Sequence, residues 1–489
     1  MDSCPEDVVR AVLSFSDCDG LVRAQRTSKA LCDAVQATAD AAASRLLSGA
    51  AVEGTRQLLW LKQLDVGARA GRVALGRHHR GLESAFVISR SGGLYSLGRG
   101  KAIGWRGPWA ARKHAACRAR CSPQRVGRLE AVRIAAVASG CCTALATGAY
   151  GGAWAWGNNC FGQLGLGDTA NRLLPTAISA FQGRVVASVA TCGFRAVATC
   201  GGELYEWGLA WAGPDRAVPF SQEMTRFTSP AVVRIARPRR GVYKLAAFVK
   251  RLLGKLPPLL GAPHAGAAPA RAAPRSSRRP CFSTVSLGRF CATAVDAQGG
   301  LWCWGNAPTF PRRRGRHLGV VPARLTGLGP VVQASAGLDH CLALTAAGCV
   351  YVFGRNYLNQ VRPARVETEV RMASVYAGSS TSFAVSEAGE LWGWRARVCG
   401  QLLLHVAVSG ETAPARVGAF RGTNVTCLAG IEGYIAIAQP TGRDTEHFYA
   451  WGDIAPRDLD LTDDDESPDT RRNSTRRHLP PTTFHLPEA

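Results

Sequence analysis

The feature of this chain that most constrains its fold is a short pattern that recurs seven times. Each copy alternates aromatic or apolar residues and ends in glycine or a near relative, and the copies read SGGLYSLG, YGGAWAWG, CGGELYEWG, QGGLWCWG, AAGCVYVFG, EAGELWGWR and TEHFYAWG. Successive side chains of a strand point to opposite faces, so alternate aromatic residues share one face and predict a strand that is buried on that side. The final glycine permits a tight exit.

Two further marks accompany the copies in a constant order. In five copies a glycine lies seventeen residues upstream of the terminal position, and in the third copy Thr191 or Gly193 stands there instead. Between copies, a proline appears in SPQRV, LPTAI, SPAVV, VPARL, RPARV and APARV, which suits an outer or initiating strand because proline has no N–H for a ladder. The framework residues predicted from these marks are Gly81, Gly98, Gly140, Trp156, Gly157, Trp207, Gly208, Gly288, Trp304, Gly305, Gly337, Gly354, Gly378, Trp394, Gly430, Trp451 and Gly452.

The spacing of these marks, about 40–60 residues, predicts short-stranded sheets that repeat radially, which is a β-propeller. The residues resemble the regulator of chromosome condensation repeat, which reads Pro-x-x-Val, Gly-x-x-His-x-x-Ala-Leu, Gly-x-Val-Tyr-x-Trp-Gly and Asn-x-x-Gly-Gln-Leu-Gly. The resemblance runs roughly from Val66 to Trp451 and implies a mainly β fold of seven blades. Two departures stand out: only His340 fills the histidine position, and the complete loop NNCFGQLGLGD occurs once.

That glycine-rich loop, from Asn158 to Asp168, allows two interpretations. Its glycines could bring backbone amides close to a phosphate, but the loop does not join a strand to a helix and lacks Gly-Lys-Ser/Thr, so we interpret it as a connection between blades. The sequence HAACRARC, from His114 to Cys121, offers three metal-ligand residues without a fourth at a suitable spacing. No nucleophile, base and orienting group share a recognisable spacing. We therefore predict no catalytic, cofactor or metal site and no enzyme activity.

Charge and cysteine content bear on the location and partners of the protein. Among 489 residues, 17 cysteines are scattered without a framework spacing, which indicates reduced thiols, and no apolar run reaches the roughly 18 residues of a transmembrane helix. The acidic N-terminus MDSCPEDVVR is unlike a secretory signal, so we expect a cytoplasmic or nuclear protein. The net charge of +24 is uneven, because residues 224–295 and 84–129 contain no acid whereas the tail DLDLTDDDESPD is acidic.

The first fifty residues follow a helical period and differ from the repeats. Three short helices are predicted, and the pattern resembles an F-box, although Cys4 and Ser16 stand where leucine is usual. A plain helical cap is the alternative. The resemblance implies that a Skp-type linker subunit of a cullin ubiquitin ligase would bind an apolar stripe comprising Pro5, Val9, Leu13, Phe15, Leu21 and Val22.

An insertion at residues 236–280 is rich in Pro, Ala and Arg and is assigned to the fourth blade. Leu245, Phe248, Val249, Leu252 and Leu256 would share one face of a basic amphipathic helix, a pattern typical of segments that bind anionic surfaces or nucleic acid. A solvated loop or a misread gene boundary would have a similar composition. We expect the propeller to fold without this insertion.

Closure of the ring can also be addressed from the sequence. Six proline-marked strands serve seven terminal strands, so one blade takes a strand from RAGRVALG, residues 69–76, or from LPPTTFHL, residues 479–486. Arg72 and Val73 repeat the Arg-Val of SPQRV, and Pro480 and Pro481 lack ladder donors, so we expect the N-terminal segment to close the ring.

These inferences divide the chain into four parts and suggest two classes of function. The parts are an F-box-like segment (residues 1–50), a linker helix (51–65), the propeller (66–456), and an acidic then basic tail (457–489). The main hypothesis is a non-catalytic substrate-recognition subunit of a cullin-type ligase that holds an unknown protein substrate on the propeller. The alternative is a guanine-nucleotide exchange factor or chromatin-binding propeller that acts with a small GTPase. The fold alone does not separate them.

Overall fold

Seven antiparallel sheets of four strands each form the architecture in the computed structural model of the protein. The structure describes residues 59, 62–63, 66–67, 69–78, 81–98, 123–140, 142–211, 224–232, 280–289, 291–305, 322–338, 340–354, 363–379, 381–394, 413–430, 433–452 and 479–486. The F-box-like segment, the HAACRARC sequence and the basic insertion before Pro280 lie outside the described residues.

The strands follow the chain, four to a blade. Blades one to four contain β1 (Val73–His78), β2 (Gly81–Ile88), β3 (Leu94–Leu97), β4 (Gln124–Arg125); β5 (Ile134–Ser139), β6 (Thr143–Gly148), β7 (Ala153–Gly157), β8 (Arg172–Ala177); β9 (Val186–Cys192), β10 (Arg195–Cys200), β11 (Glu203–Trp211), β12 (Met224–Val232); and β13 (Phe282–Leu287), β14 (Cys291–Asp296), β15 (Leu301–Gly305), β16 (Ala323–Arg324). Blades five to seven contain β17 (Val331–Ala336), β18 (His340–Thr345), β19 (Val350–Gly354), β20 (Ala364–Val366); β21 (Met372–Ala377), β22 (Ser382–Ser386), β23 (Leu391–Trp394), β24 (Ala415–Arg416); and β25 (Thr423–Gly430), β26 (Gly433–Pro440), β27 (His447–Gly452), β28 (Leu479–Phe484). Two short 3-10 helices, Ser179–Phe181 and Gly418–Phe420, follow the fourth strands of blades two and six.

The sequence marks occupy fixed places within a blade. The first strands of neighbouring blades contact one another and so surround the central channel. The second strand is the apolar segment, buried along its whole length in β6, and the third strand is the recurrent aromatic pattern. The proline-marked segment is the fourth and outermost strand, as at Pro175 in β8. The mainly β, seven-bladed propeller predicted from the sequence is therefore confirmed.

The basic insertion lies between two blades. The strand before it, β12, is the outer strand of blade three, and the strand after it, β13, is the inner strand of blade four. Its residues up to 279 thus belong to a connection between blades rather than to the interior of the fourth sheet.

The free edges of the inner strands are satisfied by side chains from the preceding blade. An unpaired strand edge exposes N–H and C=O groups that need partners. The N–H of Ala336 donates to Ser286 Oγ at 3.0 Å, and the N–H of Ala377 donates to Ser335 Oγ at 2.9 Å. The hydrogen bonds join blade four to five and blade five to six, so the same contacts that satisfy the edge also hold adjacent blades together.

A helical stretch before the first blade contributes to the same network. Positions 59, 62–63, 66–67 and 69–70 are helical, and Gln63 among them is fully buried. Gln63 Nε2 donates to the carbonyl oxygens of Asp296 and Val331, 3.0 Å away in each case. Gln63 Oε1 accepts a hydrogen bond of 2.7 Å from Ser283 Oγ. The amide thereby bridges blades four and five at the start of their inner strands.

Other residues of this stretch reach further blades. Leu59 packs in the apolar core shared by blades five and six, and the carbonyl oxygen of Gly71 accepts a 2.8 Å hydrogen bond from the N–H of Val137 in blade two. The stretch therefore lies across one mouth of the channel. Its described positions, which begin within the predicted linker helix, are packed into the propeller.

The ring does not close as the sequence suggested. The N-terminal segment forms β1, but β1 is the inner strand of blade one; the C-terminal segment forms β28 and supplies the missing outer strand of blade seven. The expectation failed because prolines are tolerated at an outer edge. Pro480 and Pro481 fall where the register between β27 and β28 shifts, so no regular ladder position lacks its donor.

Blades seven and one join through an apolar cluster and a buried ion pair. The cluster contains Val73 and Leu75 of blade one and Ile435, Phe448 and Phe484 of blade seven. Arg72 Nη1 and Nη2 each lie 2.7 Å from one carboxylate oxygen of Glu446, whose side chain is 10% exposed. A second cation, Arg90, contacts the same carboxylate at 3.3 Å. No strand is shared, so side-chain packing and this bidentate pair close the ring.

Removal of residues 453–489 should destabilise the propeller, because β27 would lose its outer partner and Phe448 its contact with Phe484. We expect the Tm to fall by at least roughly 5 °C in a thermal unfolding experiment. Deletion of residues 487–489 alone, which keeps β28, is the control. An unchanged Tm after the longer deletion would show that β28 contributes nothing to closure.

The closing ion pair should make stability depend on pH. Burial opposes ionisation of Glu446, but the hydrogen bond and charge of Arg72, followed by the charge of Arg90, outweigh it and lower the pKa from its ordinary 4.5. Its contribution is thus complete above the unfolded pKa and is lost as the pH falls through the folded one. We expect Glu446→Gln to cost about 2 kcal/mol at pH 7, and less as the pH approaches 4, in urea denaturation.

A matched control is Asp444→Asn, since the Asp444 side chain is 81% exposed and its ion pair with Arg90 is screened. This variant should retain the stability of the unmodified chain across the pH range. Equal effects of the two substitutions would contradict a special role for Glu446.

Candidate functional site

The two faces of the propeller differ in what they carry. On one, the loop face, the third strand of each blade ends and the connection to the fourth strand begins. On the other, the hairpin face, the second and third strands join by short turns and the inner strands begin. Gln63 contacts Ser283 and Val331 near the start of β13 and β17, so the helical stretch lies on the hairpin face. The channel mouth at the loop face is not covered by that stretch.

The loop Asn158–Asn171 of blade two is organised around one buried asparagine. Asn159 Nδ2 donates to the backbone oxygen of Asp168 at 2.9 Å and to its carboxylate at 3.0 Å, while Asn159 Oδ1 accepts the N–H of Leu164 at 2.9 Å. The Asp168 carboxylate also accepts from Arg172 at 2.5 Å. The backbone hydrogen bond from Ala170, then the contacts with Arg172 and Asn159, hold the pKa of Asp168 below its ordinary value against the effect of burial.

This loop packs against the next blade. Trp207 Nε1 in blade three donates to the carbonyl oxygen of Gln163 at 2.9 Å. A β-carbon on Gly165 would lie 2.7 Å from the same indole nitrogen, which is why only glycine fits there. The loop is therefore a connection within blade two that packs against blade three. The interpretation of the loop as architecture is correct, although its ends join two strands of one blade.

An aromatic pair with one exposed ring lies at that loop. The rings of Phe161 and Phe194 have centroids 4.6 Å apart, and Phe194 is 38% exposed. Phe194 lies in the hairpin between β9 and β10, so the pair spans blades two and three on the loop face. Sequence reasoning missed both residues, because Phe161 occupies an unspecified position of the loop pattern and Phe194 belongs to no repeat mark.

An ion pair within blade three adjoins the hairpin that carries Phe194. Arg195 Nε lies 2.8 Å from Glu206 Oε1 within blade three. The other carboxylate oxygen accepts from Trp304 Nε1 of blade four at 3.3 Å. Because these side chains are buried, they orient the hairpin that carries Phe194 and link the third blade to the fourth.

The framework residues are placed as the repeat requires. The five tryptophans are at most 1% exposed: Trp156, Trp207, Trp304, Trp394 and Trp451. The described terminal glycines have φ between 85° and 128°, a left-handed region that favours glycine: Gly98, Gly157, Gly208, Gly305, Gly354 and Gly452. The remaining predicted glycines stand where inner strands end at the loop face: Gly140, Gly288, Gly337, Gly378 and Gly430.

Those upstream glycines allow the inner strands to approach closely. A β-carbon on Gly288 would lie 2.1 Å from the carbonyl oxygen of Gly337, and one on Gly337 would lie 2.1 Å from that of Gly378. In blade one, Gly76 and not Gly81 has this place, since its β-carbon would lie 2.3 Å from the carbonyl oxygen of Gly140.

In blade three the equivalent position differs from the expectation. Cys192 pairs with Arg195 there, so neither Thr191 nor Gly193 stands in the glycine register. The constant seventeen-residue spacing concealed this because it assumes hairpins of equal length.

The remaining site predictions concern metal binding, membrane insertion and the N-terminal segment. Among the described residues, no three His, Cys, Asp or Glu side chains are grouped as a metal site would require. Within the same part of the chain, no helix combines the length and apolarity that a bilayer crossing requires. The predicted linker-binding residues lie outside the described residues: Pro5, Val9, Leu13, Phe15, Leu21 and Val22.

Comparison with known proteins agrees with this architecture. Two segments, residues 150–198 and 331–360, match family models described as "Regulator of chromosome condensation (RCC1) repeat". The "Secretion-regulating guanine nucleotide exchange factor" of Mus musculus is 30% identical over 287 residues, which are 51% of this chain and 60% of that protein. The "Probable E3 ubiquitin-protein ligase HERC6" of Homo sapiens is 27% identical over 32% of this chain and 17% of that protein.

A solved structure shows the same fold. Prp20p from Saccharomyces cerevisiae superposes with a TM-score of 0.56 over 86% of this chain and 89% of that chain, at 18% identity. The chain spans less than two thirds of the length of the curated relatives named above. It therefore contains RCC1 repeats arranged as a seven-bladed β-propeller.

Because inner strands approach closely at the channel, we expect alanine substitutions at two glycines to differ sharply in their effect on the free energy of unfolding. Gly337→Ala would force a β-carbon against the carbonyl oxygen of Gly378 and should lower the free energy of unfolding by roughly 2–4 kcal/mol in urea denaturation. Gly329→Ala, which meets no atom within 4 Å, should change it by less than about 0.5 kcal/mol. Similar values for both variants would refute the steric account.

Proposed function

We propose that this protein binds a small GTPase on the loop face of its propeller and accelerates release of the bound guanine nucleotide. The observation that carries the proposal is the 30% identity to a secretion-regulating guanine nucleotide exchange factor over half of this chain. Prp20p, which shares the propeller fold, has binding properties to Gsp1p and histones. Because the helical stretch occupies the channel mouth on the hairpin face, the loop face offers the freer surface.

The proposed activity needs no covalent chemistry. A propeller that binds the nucleotide-free GTPase more tightly than the loaded form shifts the equilibrium toward release, by as much as the two affinities differ. The exposed ring of Phe194, which packs against Phe161, supplies an apolar anchor on the loop face, and exposed aromatic residues that become buried often dominate binding energy. Arg195 and Glu206 hold the Phe194 hairpin rigid, which reduces the entropy lost on binding.

A second candidate is the cullin-ligase adaptor suggested by the first fifty residues. The observation in its favour is the F-box-like pattern of residues 1–48; in addition, the helical stretch that follows it along the chain is docked on the hairpin face, opposite the loop face. Several ubiquitin ligases carry similar repeats, but the matched part is 17% of the HERC6 protein. On this hypothesis the loop face would hold a protein substrate for ubiquitination.

The remaining partner and location predictions are retained as proposals. The basic segment 236–280 would bind an anionic surface or nucleic acid, and the protein would reside in the cytoplasm or the nucleus. The absence of acids from residues 224–295 is the observation that supports the first of these.

The exchange proposal is tested with fluorescent GDP release from a panel of small GTPases. The full chain should accelerate release from at least one of them, and Phe194→Asp should slow that release by roughly tenfold or more, since a charge would enter the contact. The matched control is Tyr150→Asp, because Tyr150 is 69% exposed in a hairpin on the opposite face. The control should retain the full rate.

The adaptor hypothesis is tested separately by capture of a Skp-type linker subunit. Binding that is lost when Leu13 and Leu21 are both replaced by Asp would support the adaptor. If no GTPase responds and the linker is captured, the exchange proposal is wrong and the adaptor takes its place.

A further inference from the structure

Two thiols from adjacent blades are in direct contact near the loop face. Cys291 is the first residue of β14 in blade four, and Cys341 is the second residue of β18 in blade five. Their Sγ atoms lie 2.8 Å apart, and the residues are 7% and 1% exposed. Both residues belong to one apolar cluster.

At the position that Cys291 and Cys341 occupy, two other junctions between blades have a hydrogen bond between polar side chains. Between blades five and six, His340 Nε2 lies 2.9 Å from Ser382 Oγ, and between blades six and seven the hydroxyls of Thr381 and Tyr434 are hydrogen bonded. Cys291 stands at the same register position as His340, opposite the terminal glycine of its blade. The junction of blades four and five thus has a weak thiol contact where its neighbours have hydrogen bonds.

We propose that Cys291 and Cys341 are a modification site at which hydrogen peroxide forms a disulfide that joins blade four to blade five. A disulfide has a sulfur separation of about 2.05 Å, so the two atoms need to approach by about 0.8 Å. The pair is separated by 50 residues in sequence and by one blade junction in space. This inference is independent of the function proposed above.

The reaction balances with peroxide as the oxidant. The Cys291 sulfur attacks one peroxide oxygen, the O–O bond breaks, and water leaves as a sulfenic acid forms. The Cys341 sulfur then attacks the sulfur of that sulfenic acid, the S–O bond breaks, and a second water leaves. The two thiols lose two electrons and two protons, and one hydrogen peroxide becomes two waters.

Burial controls the rate of this reaction. Cys291 is the more exposed thiol and adjoins the hairpin at residues 288–290, so it is the first site of attack. The hydrogen bond with Cys291, followed by burial, raises the pKa of the Cys341 thiol well above its ordinary value. Because the thiolate is the nucleophile, the disulfide should form slowly at neutral pH and faster as the pH rises.

A third thiol nearby offers an internal control. Cys303 lies in β15 within the same cluster, and burial raises its pKa as well. It is a strand neighbour of Cys291 in blade four, so a bond between them would not join the blades. The proposal requires that Cys341, and not Cys303, is the partner.

The test is oxidation of the full chain with hydrogen peroxide, followed by alkylation of the remaining thiols and peptide mapping by mass spectrometry. We expect a reducible cross-link between Cys291 and Cys341, and a Tm that rises by roughly 3–5 °C because the cross-link restricts the unfolded chain. Cys291→Ala and Cys341→Ala should each abolish the cross-link and the rise. Cys303→Ala should retain both.

Two outcomes would overturn the proposal. One is full alkylation of both thiols after prolonged oxidation at pH 8.5. The other is a cross-link that pairs Cys291 with Cys303, or that survives in the Cys341→Ala variant. Because alanine is smaller than cysteine and apolar, the variants should fold, and their circular dichroism before oxidation checks this.

Discussion

Around the central channel, neighbouring inner strands approach one another at three junctions more closely than a β-carbon permits. At Gly76, Gly288 and Gly337 the space for that carbon is already taken by a carbonyl oxygen of the next blade, 2.1–2.3 Å away. Glycine is therefore a steric requirement at these three junctions, whereas blade three has Cys192 at the equivalent register. Close approach also leaves the inner edges without strand partners, and serine and glutamine side chains satisfy backbone N–H groups across the junctions from blade three to blade six. Much of the remaining architecture follows from this constraint.

The seven junctions between adjacent blades are held together by different kinds of side-chain contact. Each junction has at least one contact made by a side chain, and these contacts include Ser84 with Ser139, Trp207 with the carbonyl oxygen of Gln163, Trp304 with Glu206, Cys291 with Cys341, His340 with Ser382, Thr381 with Tyr434, and Arg72 with Glu446. A repeat fold is stabilised mainly by contacts between neighbours, so each junction can change without disturbing the others. The strongest pair joins blades seven and one, where the chain does not pass directly from one blade to the next.

The fold could be predicted from the sequence because its marks are imposed by steric requirements that recur in most of the blades. Buried tryptophans such as Trp156 and glycines such as Gly337 recur for that reason. Ring closure could not be predicted, since proline at an outer edge costs nothing and β28 is reached across residues 453–478. The shift from Gly81 to Gly76 was hidden by a longer hairpin in blade one. Phe194 was missed because an exposed residue is not required by any repeat.

The hairpin face and the loop face differ because the helical stretch that precedes the propeller covers only the hairpin face. Gln63 completes hydrogen bonds that blades four and five cannot satisfy by themselves, so this stretch is part of the folded domain and occupies the hairpin-face mouth of the channel. The loop face, which this stretch does not cover, carries the exposed ring of Phe194 packed against Phe161. The buried contacts of Arg195, Glu206 and Trp304 hold that pair in place. A partner that contacts Phe194 on the loop face therefore meets a side chain whose hairpin is anchored to blades three and four, at a position that the repeat framework does not fix.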